Sequence, residues 1–313
     1  MFKIDEQFPF STRLISLDRD LEEMIKLYDS NRFPKVLLLN GKKGIGKFTL
    51  VFHFINYIYS KKEKIPYNTK EKIINTNSSF YNSIMNQTCS DVLWIHAAEG
   101  KNIKIDEIRS LKSQLSTTSL TGNPRFTVID EVEFLNTNSV NALLKTLEEP
   151  SDNNYFILVN NQQADLIETV SSRCLKNNIY LNSDQKKKII DYFIESRKIN
   201  FQIDEAGNLT PGLLLKYSDL VNKHKIDINE SIYFKLSKLL FAYKKDKNKS
   251  LINMSIFLID QFFYSLIKEN KNKIDFLLSL KSTIINKIND FIVYNLNINS
   301  VLKSIEIKLK YVG

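Results

Sequence analysis

A glycine-rich segment at residues 41–49 constrains the fold of this chain more than any other feature. Its sequence, GKKGIGKFT, follows a short apolar run at residues 36–39 and precedes residues with helical spacing. Glycines in such a turn let successive backbone N–H groups curl around phosphate oxygens, and the N-terminus of the following helix adds partial positive charge. Spacing and context therefore predict a phosphate-binding loop, or P-loop. Its candidate nucleotide-binding residues are Gly41, Gly44, Gly46, Lys47 and Thr49.

Short apolar runs alternate with helical patterns through the first 181 residues. The runs predict strands at residues 36–39, 92–95, 126–129, 155–159 and 179–181. Residues 61–90 are polar without a clear period, and they predict an insertion or a loop with loose helix. Alternating strands and helices predict an α/β fold with a parallel sheet.

The strand signal ends near residue 182. From there, Leu, Ile and Phe at spacings of three and four predict helices. We therefore predict an α/β P-loop domain at residues 1–181, a small helical lid at residues 182–215 and an all-α C-terminal domain at residues 216–313.

Composition gives weaker indications about partners. The net charge of +9 favours nucleic acid through phosphate contacts, although an AT-rich genome would produce the same abundance of lysine. Cys89 and Cys174 are too few for a zinc module of about four ligands, so we expect no zinc. We expect a cytoplasmic protein without membrane association, since we find no secretory signal and no run of roughly 18 apolar residues.

An acidic pair, Asp130-Glu131, ends the third predicted strand. In P-loop ATPases this aspartate holds Mg²⁺, and the following glutamate polarises the attacking water. Here, however, Phe48 stands where a Ser or Thr hydroxyl should bind Mg²⁺, and Thr49 lies about 100° further round the helix. We therefore predict an ATP or ADP site at which binding with Mg²⁺ is weak or absent. Asp130 is the candidate metal ligand if Mg–ATP binds.

The order of these motifs, with three further segments, resembles the clamp-loader family of AAA+ ATPases. The further segments are NALLKTLEEP at residues 141–150, FILVNN at residues 156–161 and SSRC at residues 171–174. The resemblance implies that Arg173 is an arginine finger, which reaches the ATP site of a neighbouring subunit. It implies that Asn160 or Asn161 is the first sensor residue. It also places Leu213 where active members have an arginine.

Within this family, a defective P-loop beside an intact SRC arginine resembles the delta-prime class of bacterial DNA polymerase III subunits. This implies a subunit that helps to load the sliding clamp onto primed DNA during replication. Such a subunit donates catalysis to a neighbour and hydrolyses little ATP itself. The implied partners are other clamp-loader subunits (gamma/tau and delta-like), the sliding clamp and, through the complex, primed DNA. The C-terminal helices would form the collar that holds the ring together.

Two alternatives remain open. The chain could be a catalytically active, gamma/tau-like clamp-loader ATPase or another AAA+ DNA motor. Phe48 and Leu213 count against this reading, because a hydrolase should have Ser or Thr at the first position and arginine at the second. A free-standing nucleic-acid-binding protein is the weaker alternative, and it predicts tight, salt-sensitive DNA binding by the monomer.

Overall fold

The computed structural model describes residues 10–97, 102–116, 122–197, 209–227 and 229–311. The chain divides into two compact units. Unit 1 contains the residues up to Phe193 together with Thr210–Leu213. Unit 2 contains Ile194–Leu209 and the residues from Leu214 onward.

Unit 1 alternates helices and strands, as the sequence predicts. Its elements are α1 (Asp18–Asp29), β1 (Val36–Asn40), α2 (Lys47–Ser60), α3 (Ser79–Met85), β2 (Val92–His96), α4 (Ile105–Leu115), β3 (Arg125–Asp130), α5 (Thr137–Glu148), β4 (Asn154–Asn160), α6 (Glu168–Ser171), β5 (Leu175–Asn178) and α7 (Ser183–Arg197). The polar region at residues 61–90 contains the short helix α3. The last residues of α7 belong to unit 2.

The five strands form one parallel sheet in the order β2-β3-β4-β1-β5. The register places Asn40 of β1 beside Asn160 of β4 and Asn178 of β5. It also places Asp130 of β3 beside His96 of β2. Because all the strands run in one direction, the residues at their C-terminal ends meet along one edge of the sheet. This sheet confirms the predicted α/β fold.

Alternate residues of the central strands pack into two cores, one on each face of the sheet. Leu37 and Leu39 of β1 join the core built with α1 and α2. Val36 and Leu38 join the other core, built with α4 and α5. A strand that is buried on both faces is apolar throughout, which explains why the sequence marks β1 so clearly.

The fifth strand lies at Leu175–Asn178, so its prediction at residues 179–181 was wrong. The prediction followed the apolar residues, but β5 is an edge strand that pairs with β1 and exposes polar side chains such as that of Lys176. Edge strands carry such polar residues because they discourage pairing with other chains. Ile179 is buried just after the strand, and its N–H donates to the carbonyl oxygen of Asn40 at 2.8 Å.

Unit 2 contains helices joined by turns, and no strand occurs among its described residues. After α7 its helices are α8 (Pro211–Lys223, in this unit from Leu214), α9 (Ile232–Asp246), α10 (Lys249–Glu269), α11 (Ile274–Val293) and α12 (Ile298–Leu309). Helix α9 packs against α10, α10 against α11 and α11 against α12. Because α12 also packs against α9, these four helices surround one core. This helical C-terminal region confirms the all-α part of the predicted fold class.

One helix of unit 2, α10, is long and apolar enough to cross a membrane by length and composition alone. The helix meets this criterion by its mean hydropathy, and polar residues such as Asn253 and Asp260 interrupt its apolar run, so the chain has no continuous run of about 18 apolar residues. Leu251, Met254 and Ile259 of α10 are buried within the helical bundle. Core helices of helical domains commonly satisfy the same criterion, so the observation is weak evidence for a membrane span.

Candidate functional site

The P-loop connects the C-terminal end of β1 to the start of α2. Gly44 and Gly46 have φ angles of +80° and +99°, a region that glycine adopts at little cost. Gly46 is the N-cap of α2, and Lys47 is the first helical residue. The loop thus turns directly into a helix N-terminus, in the strand and helix context that the sequence predicts.

The P-loop lysine, Lys47, is bonded to its own loop. Its side chain is buried, and its Nζ donates to the carbonyl oxygens of Gly41 at 2.6 Å and Lys42 at 2.8 Å. Burial lowers the pKa of Lys47 to about 8, although the negative charges of Asp130 and Glu133 act in the opposite direction. The cation expected to contact terminal phosphates therefore has backbone partners within the chain.

Phe48 packs into the core of unit 1. Its ring centroid lies 5.3 Å from that of Trp94 and 6.4 Å from that of Phe52. Thr49 follows in the first turn of α2 and is half-buried. Because the ring of Phe48 packs into the aromatic core, the effect of this residue on a Mg²⁺ site is that position 48 supplies no hydroxyl ligand.

The acidic pair lies buried at the C-terminal end of β3. Asp130 Oδ1 accepts from the backbone N–H of Glu131 at 2.9 Å, and His96 Nδ1 lies 3.4 Å from Asp130 Oδ2. Glu131 has a φ angle of +58°. Its Oε1 accepts from Lys43 Nζ at 2.5 Å and from Gln163 Nε2 at 3.2 Å. The glutamate that would polarise a water is thus paired with a cation of the P-loop.

The two candidate sensor residues have different neighbours. Asn161 Nδ2 donates to Asp130 Oδ1 at 3.0 Å. Asn160 Nδ2 instead donates to Asn40 Oδ1 at 2.9 Å, and Asn40 Nδ2 donates to Asn178 Oδ1 at 2.8 Å. These bonds form an amide ladder across β4, β1 and β5, next to the P-loop. The geometry therefore favours Asn161 over Asn160 for the sensor position.

A short segment at residues 210–213 lies against the P-loop within unit 1. The Gly212 N–H donates to the carbonyl oxygen of Gly44 at 2.7 Å, and Thr210 Oγ1 donates to that of Lys43 at 2.7 Å. A Cβ on Gly212 would stand 2.8 Å from Gly44 Cα and 3.0 Å from its oxygen. Only glycine permits this approach, which closes the segment onto the loop.

Arg173 lies at the surface just after α6, and its guanidinium is paired within the chain. Its partner is Glu148, the last residue of α5, with Nε 2.7 Å and Nη2 2.5 Å from Oε1. Nη1 donates to the Thr169 carbonyl oxygen at 2.9 Å and to Ser172 Oγ at 3.2 Å. The side chain of Arg173 remains 32% exposed, so it can be reached from outside the subunit.

Four residues of this arrangement were not predicted from the sequence. They are Lys43, Glu148, Gln163 and Thr210. Lys43 lies inside the P-loop motif and Glu148 inside the segment at residues 141–150, so position within a motif was the signal available for these two. Gln163 and Thr210 reach the P-loop and the acidic pair through the fold, and no sequence pattern marks them.

Metal ligands are not grouped in the part of the chain that the structure describes. No three His, Cys, Asp or Glu side chains there could together hold a metal ion. Cys89 and Cys174 are both free thiols, and burial raises the pKa of the Cys174 thiol to about 11. A cysteine with a raised pKa is a poor metal ligand, because the thiolate is the form that binds.

The family of the chain follows from a comparison with models of protein families. Residues 18–183, more than half of the chain, match the family described as DNA polymerase III, delta subunit. The chain belongs to this family. The matched region contains the P-loop, the acidic pair Asp130-Glu131 and Arg173, whereas the segment at residues 210–213 lies outside it.

Two bacterial relatives, both named DNA polymerase III subunit delta′, show the extent of the similarity. The protein of Buchnera aphidicola subsp. Baizongia pistaciae (strain Bp) is 26% identical over 170 residues, which cover 52% of this chain and 49% of the relative. That of Buchnera aphidicola subsp. Schizaphis graminum (strain Sg) is 25% identical over 239 residues, which cover 74% of this chain and 67% of the relative. The chain thus spans about half the length of the first of these relatives.

A solved structure with a similar chain is a DNA polymerase III, gamma subunit-related protein from Thermotoga maritima. It is 19% identical, and the superposition covers 94% of this chain and 97% of that chain with a TM-score of 0.48.

Proposed function

We propose that this chain is a delta-prime-type subunit of a bacterial clamp loader, in which Arg173 acts on ATP bound by a neighbouring subunit. The carrying observation is a contrast between two sites. Arg173 keeps 32% of its side chain exposed, where another subunit can reach it, whereas Lys47 and Glu131 of the chain's own P-loop site are buried as well as bonded within the chain. Membership of a DNA polymerase III subunit family supplies the context.

Several contacts argue against efficient hydrolysis at this chain's own P-loop. The Lys47 ammonium is bonded to two carbonyl oxygens, and Glu131 is paired with Lys43. Position 48 offers no hydroxyl, and Leu213 offers no charge. Residues in this arrangement do not fit a Mg–nucleotide. The chain's own site therefore binds ATP or ADP weakly or not at all, and the chain is not catalytic alone.

Arginine is chemically suited to the role proposed for Arg173. Its guanidinium stays charged at all relevant pH values, and its planar set of N–H donors matches phosphate oxygens. A finger of this kind stabilises the charge that develops on a transferring phosphoryl group. In well-studied GTPases it contributes about 10³–10⁵ in rate. An equal rate contribution from Arg173 would make ATP hydrolysis by the neighbouring subunit depend on this chain.

The domain plan implied by the family gives each region a role. We assign residues 1–181 to the AAA+ domain, residues 182–215 to a helical lid and residues 216–313 to a collar that joins gamma/tau and delta-like subunits. Phe234 and Phe241 support the collar, because they are exposed on α9 and lie seven residues apart, on one helix face. Exposed aromatic side chains of this kind are enriched at interfaces between subunits.

Contacts with the sliding clamp and primed DNA belong to the same proposal. A hollow of about 590 Å³ lies between α4 and α5, and its lining includes Arg109, Lys112, Asn138 and Asn141. Two cations and two amides are donors suited to phosphate oxygens. As a subunit of the bacterial replication machinery, the protein would work in the cytoplasm.

An active clamp-loader ATPase is the second candidate, because Lys47, Asp130, Glu131 and Asn161 are all present around the P-loop. ATP turnover by the isolated chain distinguishes the two candidates. Turnover at an ordinary enzyme rate, abolished by Lys47→Ala, would favour the active ATPase. Our proposal expects no such turnover.

Replacement of Arg173 tests the proposal directly. In a complex reconstituted with its partner subunits, we expect Arg173→Ala to slow hydrolysis at the neighbouring site by about 10³-fold or more. Lys176→Ala is the matched control, since Lys176 is an exposed cation three residues away on β5. Equal hydrolysis by the Arg173→Ala and wild-type complexes would remove the finger assignment.

A further inference from the structure

The Arg173 guanidinium is unusually well fixed for a surface side chain. Its Nε and Nη2 contact Glu148, and its Nη1 donates to Thr169 and Ser172. An arginine has five N–H donors, so these contacts leave one Nη2 N–H without a partner among the described residues. The backbone is anchored as well, because the Arg173 N–H donates to the carbonyl oxygen of the fully buried Val170 at 3.2 Å.

Such fixing matters for a group that must meet a charge in another subunit. A free arginine side chain populates many rotamers and loses that freedom when it binds. Contacts within its own chain restrict these rotamers before the subunits meet, which preorganises the donor. Of the three partner groups, Glu148 contributes the charged contact and touches two of the three guanidinium nitrogens.

We propose that Glu148 is a positioning residue, which orients the Arg173 guanidinium for the ATP of a neighbouring subunit. This inference rests on the proposed function, because it needs Arg173 to act in trans. Glu148 ends α5, a helix whose Val140, Leu143 and Leu147 are buried in the core. The carboxylate therefore extends from a rigid element toward an arginine on the short segment after α6.

The contact geometry favours positioning over competition with the phosphate. Both guanidinium contacts converge on one oxygen, Oε1, so the pair lacks the two parallel bonds of a bidentate arginine–carboxylate pair. Both side chains remain partly exposed, at 32% for Arg173 and 46% for Glu148, so solvent weakens their attraction. A phosphoryl group, with more oxygens and more charge, can engage the remaining N–H while Glu148 keeps the orientation.

Single-turnover ATP hydrolysis by the reconstituted complex tests this inference. The other subunits that do not face Arg173 carry substituted P-loop lysines, so that the measured rate belongs to one site. We compare Arg173→Ala, Glu148→Gln and the double variant. Glu149→Gln is the matched control, because it removes the same charge from the next residue, which is exposed.

We expect Glu148→Gln to lower the single-turnover rate constant at saturating ATP by about 10²-fold, the size of effect that a misplacement of about 1 Å produces. The ATP concentration that gives half of this maximal rate should stay within about twofold of the wild-type value, because the finger acts in the transition state. The double variant should be no slower than Arg173→Ala alone, since Glu148 acts through Arg173. If the role of Glu148 were only structural, Glu148→Gln would lower the rate in the Arg173→Ala variant as well.

Three results would overturn the inference. In the first, Glu148→Gln hydrolyses ATP at or above the wild-type rate while Arg173→Ala is slow. In the second, Glu149→Gln loses as much of the rate as Glu148→Gln does. In the third, the losses of rate caused by Arg173→Ala and Glu148→Gln add up in the double variant. Each of these leaves the arginine finger in place. If Arg173→Ala itself hydrolyses ATP at the wild-type rate, the proposed function fails, and the role of Glu148 fails with it.

Discussion

Replacing Gly212 by alanine tests the contact that closes the P-loop. The new Cβ would stand 2.8 Å from Gly44 Cα and 3.0 Å from the Gly44 carbonyl oxygen. Both are backbone atoms, which cannot rotate away as a side chain can, so the segment at residues 210–213 must shift. Overpacking of this kind costs about 1–3 kcal/mol.

The segment at residues 210–213 can also respond by detaching from the P-loop, so the loss of free energy cannot exceed the cost of this detachment. Detachment breaks the hydrogen bonds from Gly212 to Gly44 and from Thr210 to Lys43, which together contribute about 1–3 kcal/mol. We therefore expect Gly212→Ala to weaken the closed state by about 1–3 kcal/mol. This free energy corresponds to opening that is about 5- to 150-fold more frequent.

Hydrogen–deuterium exchange at the amide of residue 212 measures this opening. We expect exchange about 5- to 150-fold faster in Gly212→Ala, with wild-type rates in β1 and β4. Asp219→Ala changes an exposed position further along α8 and should leave exchange at residue 212 unaltered. Without the contact, alanine would favour the helix by about 0.5–1 kcal/mol. Slower exchange in Gly212→Ala would therefore refute the reasoning.

Three further predictions concern other parts of the chain. Burial lowers the pKa of His53 from 6.5 to about 4, so between pH 7 and pH 5 the unfolded chain gains a proton that the folded chain does not. Urea unfolding followed by the fluorescence of Trp94 should show that the free energy of unfolding of unit 1 falls by about 2 kcal/mol from pH 7 to pH 5. His53→Gln should abolish this fall. Phe48→Thr restores a hydroxyl in the P-loop, yet we expect no hydrolysis by the isolated chain, because the P-loop lysine and the glutamate after β3 stay bonded within it; turnover at an ordinary enzyme rate would contradict this. Replacing Phe234 and Phe241 together by serine should leave the circular dichroism of the chain unchanged but weaken its association with partner subunits about tenfold or more, which gel filtration of the mixed subunits measures.

The central strands could be predicted because their signal is local. β1 and β4 are buried on both faces or nearly so, and a continuous apolar run results. β5 could not be found in the same way, since an edge strand with Lys176 and Asn178 exposed has no apolar run to detect. Its pairing with β1 depends on the fold of the whole sheet.

In the candidate site, too, the residues marked by local sequence could be predicted, and the contacts made by the fold could not. The P-loop glycines and Lys47 follow β1 closely in sequence, and the acidic pair lies at the end of β3, so spacing relative to these strands predicts them. The closure of the loop could not be predicted, because Thr210 and Lys43 are 167 residues apart. The pairing of Arg173 with Glu148 joins residues 25 apart, one at the end of α5 and the other just after α6, and only the folded chain brings them together.

Comparison of two variants in one reconstituted complex tests the central claim most directly. Lys47→Met removes the cation of the chain's own P-loop, and Arg173→Ala removes the cation offered to a neighbour. We predict that ATP turnover is unchanged with Lys47→Met and strongly slowed with Arg173→Ala. Turnover that falls with Lys47→Met and stays at the wild-type rate with Arg173→Ala would contradict the account.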